Sequence, residues 1–192
     1  MEVRRLNPER ITVMGIGNPL MMDEGVGVRV MEIVMGTLRF PENVTLIDAG
    51  TMGMSILNLF RECDYLLVVD AVDCTGEPPG TVVRLSPEDL APSQVKHSLH
   101  DIRLVDVLDA AMLMGNRPEA ECIGIQIADM SRVGIGLTPE VEAALPAAVA
   151  ATLQVLAEHA VTPELAEGAS FEGGVLEAIR TFTAAPEPPR DV

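Results

Sequence analysis

"RITVMGIGNPLMMDEGVGVRVMEIV", residues 10–34, decides the architecture of this chain. An apolar run rich in β-branched residues ends in Gly15-Ile16-Gly17, and apolar residues then recur at Val26, Val30, Ile33 and Val34. The first pattern is that of a buried strand, and the second is one face of a helix. Strand, glycine turn and helix in that order form the repeating unit of an α/β fold. The same stretch imitates a dinucleotide-binding loop, whose glycines bring backbone close to a pyrophosphate. The place of the third glycine, however, holds Leu20, and the acid pair Asp23 and Glu24 follows where a phosphate would lie. The loop either cradles phosphate or turns its acids toward something positive.

The unit recurs along the chain. Residues 10–16, 43–48, 65–71, 81–85 and 122–128 read as strands, several nearly continuous in Val, Ile and Leu as in strands covered on both faces. Helical spacing appears over 24–36, 52–62 and 99–114. A last helix starts with Thr138 as cap, Pro139 in the first turn and Glu140 behind it, and runs to about residue 159. Pro146 inside it removes a backbone bond and predicts a kink or a split. The connection "VDCTGEPPG" (72–80) is too short for a helical crossover, which predicts an antiparallel edge strand. The fold class is therefore a three-layer α/β sandwich: a mainly parallel five-stranded sheet, one antiparallel edge strand, and helices on both faces. Residues 1–160 form one domain. Residues 161–192, rich in Pro, Glu and Gly, read as a mobile tail with a short helix at 173–182.

Composition narrows the partners. The 192 residues carry a formal charge of −16 with a pI near 4.4, a field that repels nucleic acid and anionic membranes and favours cationic partners. Aromatics, at 3%, are too few to build base-stacking platforms. Cys63, Cys74 and Cys122 form no CxxC pair and leave an odd count, as expected in a reducing compartment. The start "MEVRRLNPER" lacks the apolar core of a secretory signal, and no uninterrupted apolar stretch approaches the roughly 20 residues of a membrane span. A cytoplasmic protein without nucleic-acid or membrane partners is expected.

Ligands of open α/β sheets bind outside the carboxyl ends of the strands. Asp23 and Glu24 follow the first strand, Asp48 ends the second, and Asp70 and Asp73 end the third. Any single one has a structural explanation. Asp48, before "AGTMG", can order a turn through its own side chain, and Asp73 can be an ordinary loop residue. Three acid-tipped strands on one rim still need a compensating charge. His97 and His100 precede the third helix, and His159 near the last helix end reads as a favourable C-terminal charge. Carboxylates with an imidazole suit a borderline divalent cation such as nickel or zinc. HExxH, GxSxG and Walker motifs are absent from the sequence.

"GIGNPLMMDEGVGVRV", "LIDAGTMGM", "LLVVDAVD", "SLHDIRLVDVL" and "GIQIADMSRVGIGLTPEVEAALPAAV", in this order over residues 10–158, resemble the hydrogenase maturation endopeptidases. The resemblance implies an α/β fold with a twisted central sheet. It also implies cleavage of the C-terminal extension from the large-subunit precursor of a [NiFe] hydrogenase, once nickel is installed. Nickel is then carried by the substrate, and no tightly bound resident cofactor is expected. The family's catalytic and nickel-binding positions fall on Glu24, Asp70 and His100; His97 is an additional histidine. Asn18, Asp23, Asp48, Gly50, Thr51 and Gly53 are assigned to the substrate groove, with Gly25 and Gly27 open to a substrate backbone. The expected assembly is a monomer. The competing readings are a non-catalytic nickel-sensing assembly factor, a Rossmann-type oxidoreductase, and a specialised endopeptidase of the spore type.

Overall fold

The computed structural model describes residues 8–73, 75–90, 96–97, 104–129, 132–171 and 174–183. Its elements are β1 (Ile11–Ile16), α1 (Val26–Thr37), β2 (Leu38–Arg39), β3 (Val44–Gly50), β4 (Tyr65–Asp73), β5 (Val82–Leu85), α2 (Pro87–Leu90), β6 (Lys96–His97), α3 (Leu104–Leu113), β7 (Glu119–Gln126), α4 (Pro139–Glu158), β8 (Glu164–Leu165) and α5 (Val175–Thr183), with 3-10 segments at Met22–Gly25 and Gly53–Glu62. The main sheet runs β3-β1-β4-β7-β5. The first four strands are parallel, and β5 is the antiparallel edge that the short 72–80 connection requires. The two-residue β6 pairs antiparallel with the end of β4, beyond the last residue that β1 reaches.

Alternation along β4 divides the core. Tyr65, Leu67, Val69 and Ala71 join β1 and β7 residues under α1, α4 and α5. Leu66 and Val68, with Met14 and Cys122, face Ile56 and Phe60 of the second 3-10 segment and Val107, Leu108 and Ala111 of α3. Val69 and Leu67 are fully buried, as a central strand between two helix layers demands. The segment 52–62 is wound as a 3-10 helix, tighter than the α-helix that the spacing suggested.

α4 runs unbroken for 20 residues through Pro146, with no split into two helices. Leu145, Ala148 and Val149 beside the proline are buried, so packing carries the helix across the lost bond. By length and hydropathy this helix could span a membrane, yet half of its most apolar window is packed inside the fold.

For residues 161–171 the mobile tail is a correction, and residues 184–192 lie outside the described residues. β8 pairs antiparallel with β2, Leu38 opposite Leu165, and Ala166 N–H donates to Thr37 O at 2.8 Å. α5 buries Val175 and Ile179 against α4, and Phe171 lies under the Arg29 guanidinium at 5.0 Å. The helix read at 173–182 thus exists at Val175–Thr183 and belongs to the first core. Two apolar residues at i and i+4 suffice to dock a segment whose composition alone reads as disordered.

Candidate active site

The loop after β1 is compressed onto the fold by its glycines. Gly17 has φ 141°, and a Cβ there would collide with the Glu24 carbonyl. A Cβ on Gly27 would collide with the carbonyl oxygens of Ile16 and Val69. The space beside Gly27 is therefore filled by the chain itself, and so is that beside Gly25, where Pro19 lies. This corrects the reading of Gly25 and Gly27 as open to a substrate backbone, and the same crowding leaves no phosphate cradle.

The compression drives both acids inward. Glu24, in the 3-10 turn that leads into α1, is 0% exposed. Asp70, near the carboxyl end of β4, is 8% exposed, and its Oδ1 accepts the Ala71 N–H at 2.8 Å. Burial pushes the Asp70 carboxyl up to about 8, the Ala71 N–H opposes this, and the Glu24 charge adds to it. In this region of low dielectric the nearby Glu24 charge thus adds to the cost of ionising Asp70. A positive charge brought beside them would offset that cost. Cys122 lies on the same face, where burial first and the Asp70 charge second push its thiol well above the ordinary range. It is a neutral packing group, without thiolate character.

His100 lies outside the described residues. Lys96–His97 is described as backbone, with His97 opposite Val72, so this segment reaches the end of the strand that carries Asp70. Among the described residues, no three His, Cys, Asp or Glu side chains gather into a metal cluster. His159 stands at the far end of the sheet: its ring is 3.7 Å from that of Tyr65, and its Nδ1 is 2.8 Å from Glu9 Oε2.

Asp23 is turned inward, onto the loop after β7 and the start of α4. Its Oδ2 accepts the N–H groups of Ala128 and Asp129 at 3.0 and 3.1 Å and the Thr138 hydroxyl at 2.9 Å, while Oδ1 accepts the Thr138 N–H at 2.6 Å. The carboxylate is 0% exposed and fully occupied, which corrects its assignment as a substrate contact. Thr138, read as a side-chain cap, instead gives its hydroxyl to Asp23 and makes no cap bond to α4. A remote carboxylate thereby serves the helix N-terminus, where negative charge is favourable.

The remaining groove residues fall as follows. Asp48 is exposed, and its Oδ1 accepts the Gly50 N–H at 3.1 Å, the turn-ordering role open to it in the sequence. Gly50 and Gly53 both have positive φ, 43° and 54°, and flank the exposed Thr51. The Asn18 Oδ1 accepts the Leu20 N–H at 3.1 Å, closing the turn after β1. These five stand at the same strand-end rim as Glu24 and Asp70. A residue not singled out in the sequence is Gln126, 5% exposed. Its Oε1 accepts the Thr75 N–H and hydroxyl at 3.1 and 2.6 Å, fastening the loop after β4; only a glutamine at the end of an apolar strand hinted at it.

With this geometry in place, similarity to known proteins gives it a context. A family model described as hydrogenase maturation protease matches residues 28–155. The hydrogenase expression/formation protein HupD of Rhodobacter capsulatus is 36% identical over 173 residues, covering 88% of this chain and 81% of its own. The hydrogenase 2 maturation protease of Escherichia coli strain K12 is 36% identical over 153 residues, covering 79% of this chain and 93% of its own. The solved structure of the hydrogenase maturating endopeptidase HybD from E. coli superposes with a TM-score of 0.74 at 33% identity, over 82% of this chain and 98% of that one. An α/β sheet with a buried acid pair at its carboxyl rim, matched over most of its length by these proteins, places the chain in the hydrogenase maturation protease family.

Proposed function

We propose that this protease removes the C-terminal extension from the nickel-loaded large-subunit precursor of a [NiFe] hydrogenase. Glu24, Asp70 and His100 read the substrate's nickel and position the scissile bond. The observation that carries the reading is the burial of Glu24 and Asp70 at one strand-end rim, close enough for the Glu24 charge to help raise Asp70. A cation arriving with the substrate offsets the charge that burial makes costly. His100 supplies the neutral nitrogen donor that two carboxylates lack for a borderline metal such as nickel. Nickel is substrate cargo in this scheme, so the enzyme reads it and releases it. Asn18, Asp48, Gly50, Thr51 and Gly53 border the path of the peptide. The protein works as a monomer in the cytoplasm, where the free thiols of Cys63 and Cys122 persist.

The test uses a purified large-subunit precursor with and without nickel. The native protein is expected to shorten the nickel-loaded form and to leave the nickel-free form intact. Glu24→Gln, Asp70→Asn and His100→Ala are each expected to abolish cleavage. Full processing by Glu24→Gln and His100→Ala, or equal cleavage of the nickel-free form, overturns the proposal. Binding of the loaded precursor without any cleavage would identify a nickel-sensing assembly factor instead.

A further inference from the structure

The loops that leave β1 and β7 are joined to each other, although β4 lies between those strands. Met22 N–H donates to Gly134 O at 3.0 Å, and Gly134 N–H donates to Leu20 O at 2.9 Å. Met22 adopts φ 53°, a left-handed conformation that a long side chain takes only when its surroundings impose it. The Asp23 hydrogen bonds to Ala128, Asp129 and Thr138 fix both loops from beneath. This pinned platform holds three aliphatic side chains in water: Leu20 at 57%, Val133 at 83% and Ile135 at 87% exposure. Single exposed aliphatics are ordinary. Three on two interlocked loops, beside the acid pair, form a patch of the kind that marks an interaction surface.

A cleft of about 260 Å³ opens beside the patch, walled by Pro19, Met22, Val28, Ile135 and Leu137. That is below the roughly 300 Å³ at which small-molecule sites begin, so it suits a side chain better than a cofactor. Among the described residues lining it, Glu32 and Glu142 stand at its lip against Arg29, which pairs with Glu32 at 2.8 Å, and Arg132 on the ledge is paired with Asp129 at 2.6 Å. The lip keeps a net negative charge within a chain whose own charge is −16.

We propose that the interlocked loops 18–22 and 132–137 are the docking ledge for the large-subunit precursor. A precursor segment with an apolar side chain next to a lysine or arginine lies on the ledge and fills the cleft. The inference rests on the function proposed above, because residues 18–22 of the ledge and Glu24 of the acid pair share the loop after β1. Binding energy gathered there holds the substrate before the bond is cut, so its loss appears in KM and leaves kcat alone.

The experiment measures the affinity of nickel-loaded precursor and its steady-state cleavage, using Val133→Ser/Ile135→Ser and Leu20→Ser variants. All three positions are exposed, and unchanged thermal unfolding confirms intact folding. Kd and KM are expected to rise at least tenfold with kcat unchanged, and native KM to rise with ionic strength. Leu113→Ser, 91% exposed at the end of α3, is expected to leave both constants unchanged. Native Kd in the double variant overturns the ledge. So does a loss of self-association in the double variant with native KM, which would assign the patch to a second copy of this chain. If the native protein binds the precursor without cleaving it, the proteolytic reading fails while the Kd comparison still decides the ledge.

Discussion

Replacing Asp70 by Asn should stabilise the folded protein at neutral pH while abolishing its activity, and the gain should grow with pH. Asp70 is 8% exposed, and its acidity is shifted from 3.8 to about 8, mainly by burial. Between those two values the folded chain retains a proton that the unfolded chain has released, so stability falls as pH rises. Below 3.8 the carboxyl is neutral in both states and no penalty exists; above about 8 it is ionised in both, and the full penalty stands. From pH 5.5 to 7.5 this single group costs about 3 kcal/mol, at 1.36 kcal/mol per unit. Asn keeps the shape and the acceptor for Ala71 N–H but cannot ionise. The stability difference between variant and native protein should therefore widen by that amount over the two units. Urea unfolding of both proteins, with a chelator present, measures it at each pH. In a Glu24→Gln background the upper end of the window should move down, because one charge that raises Asp70 has gone. Unfolding curves whose separation does not change with pH would refute the assignment of a buried, protonated Asp70.

Asp23→Asn should cost about 3 kcal/mol in urea unfolding, since the amide turns a donor toward one of the three N–H groups and the hydroxyl that the carboxylate now satisfies. Two glycines of α1 should respond in opposite directions. Gly27→Ala drives a methyl into two backbone carbonyls and should destabilise by about 3 kcal/mol or more, whereas Gly36→Ala meets open space and should stabilise by up to about 1 kcal/mol. Ile179→Ala, in the region whose composition reads as a tail, should lower stability by about 2–4 kcal/mol because the side chain is fully buried against the first core. A loss below about 0.5 kcal/mol there would show that α5 contributes little to the fold.

The sheet was legible because its signals are local. Continuous Val, Ile and Leu mark strands buried on both faces, and nine residues between two of them can only make an antiparallel edge. Asp48 was legible for the same reason, since its partner is two residues away. Asp23 was not, because its partners lie 105 to 115 residues further on, and nothing in "MMDEG" distinguishes its first acid from its second. The 161–171 stretch was misread because β8 is two residues long, too short a signal to outweigh the surrounding Pro and Glu. Cys122 next to Asp70 depends on strand register, which a single sequence does not display.

The adjacent acids Asp23 and Glu24 divide the work of the rim. Burial disfavours the charged form of Asp70, so the loop that carries Glu24 over it is favoured to swing outward and let water in. Asp23 opposes that motion, because any outward swing strands three backbone N–H groups and a hydroxyl inside the protein. The crowded glycines add a steric limit, since Gly17 and Gly27 hold the loop against Glu24 O, Ile16 O and Val69 O. Glu24 and Asp70 are thus kept from water, the loop over them being held by hydrogen bonds one residue from Glu24. In the proposed reaction, a cation brought by the substrate would meet carboxyls already held out of water, and Asp23 is the residue that holds the loop over them.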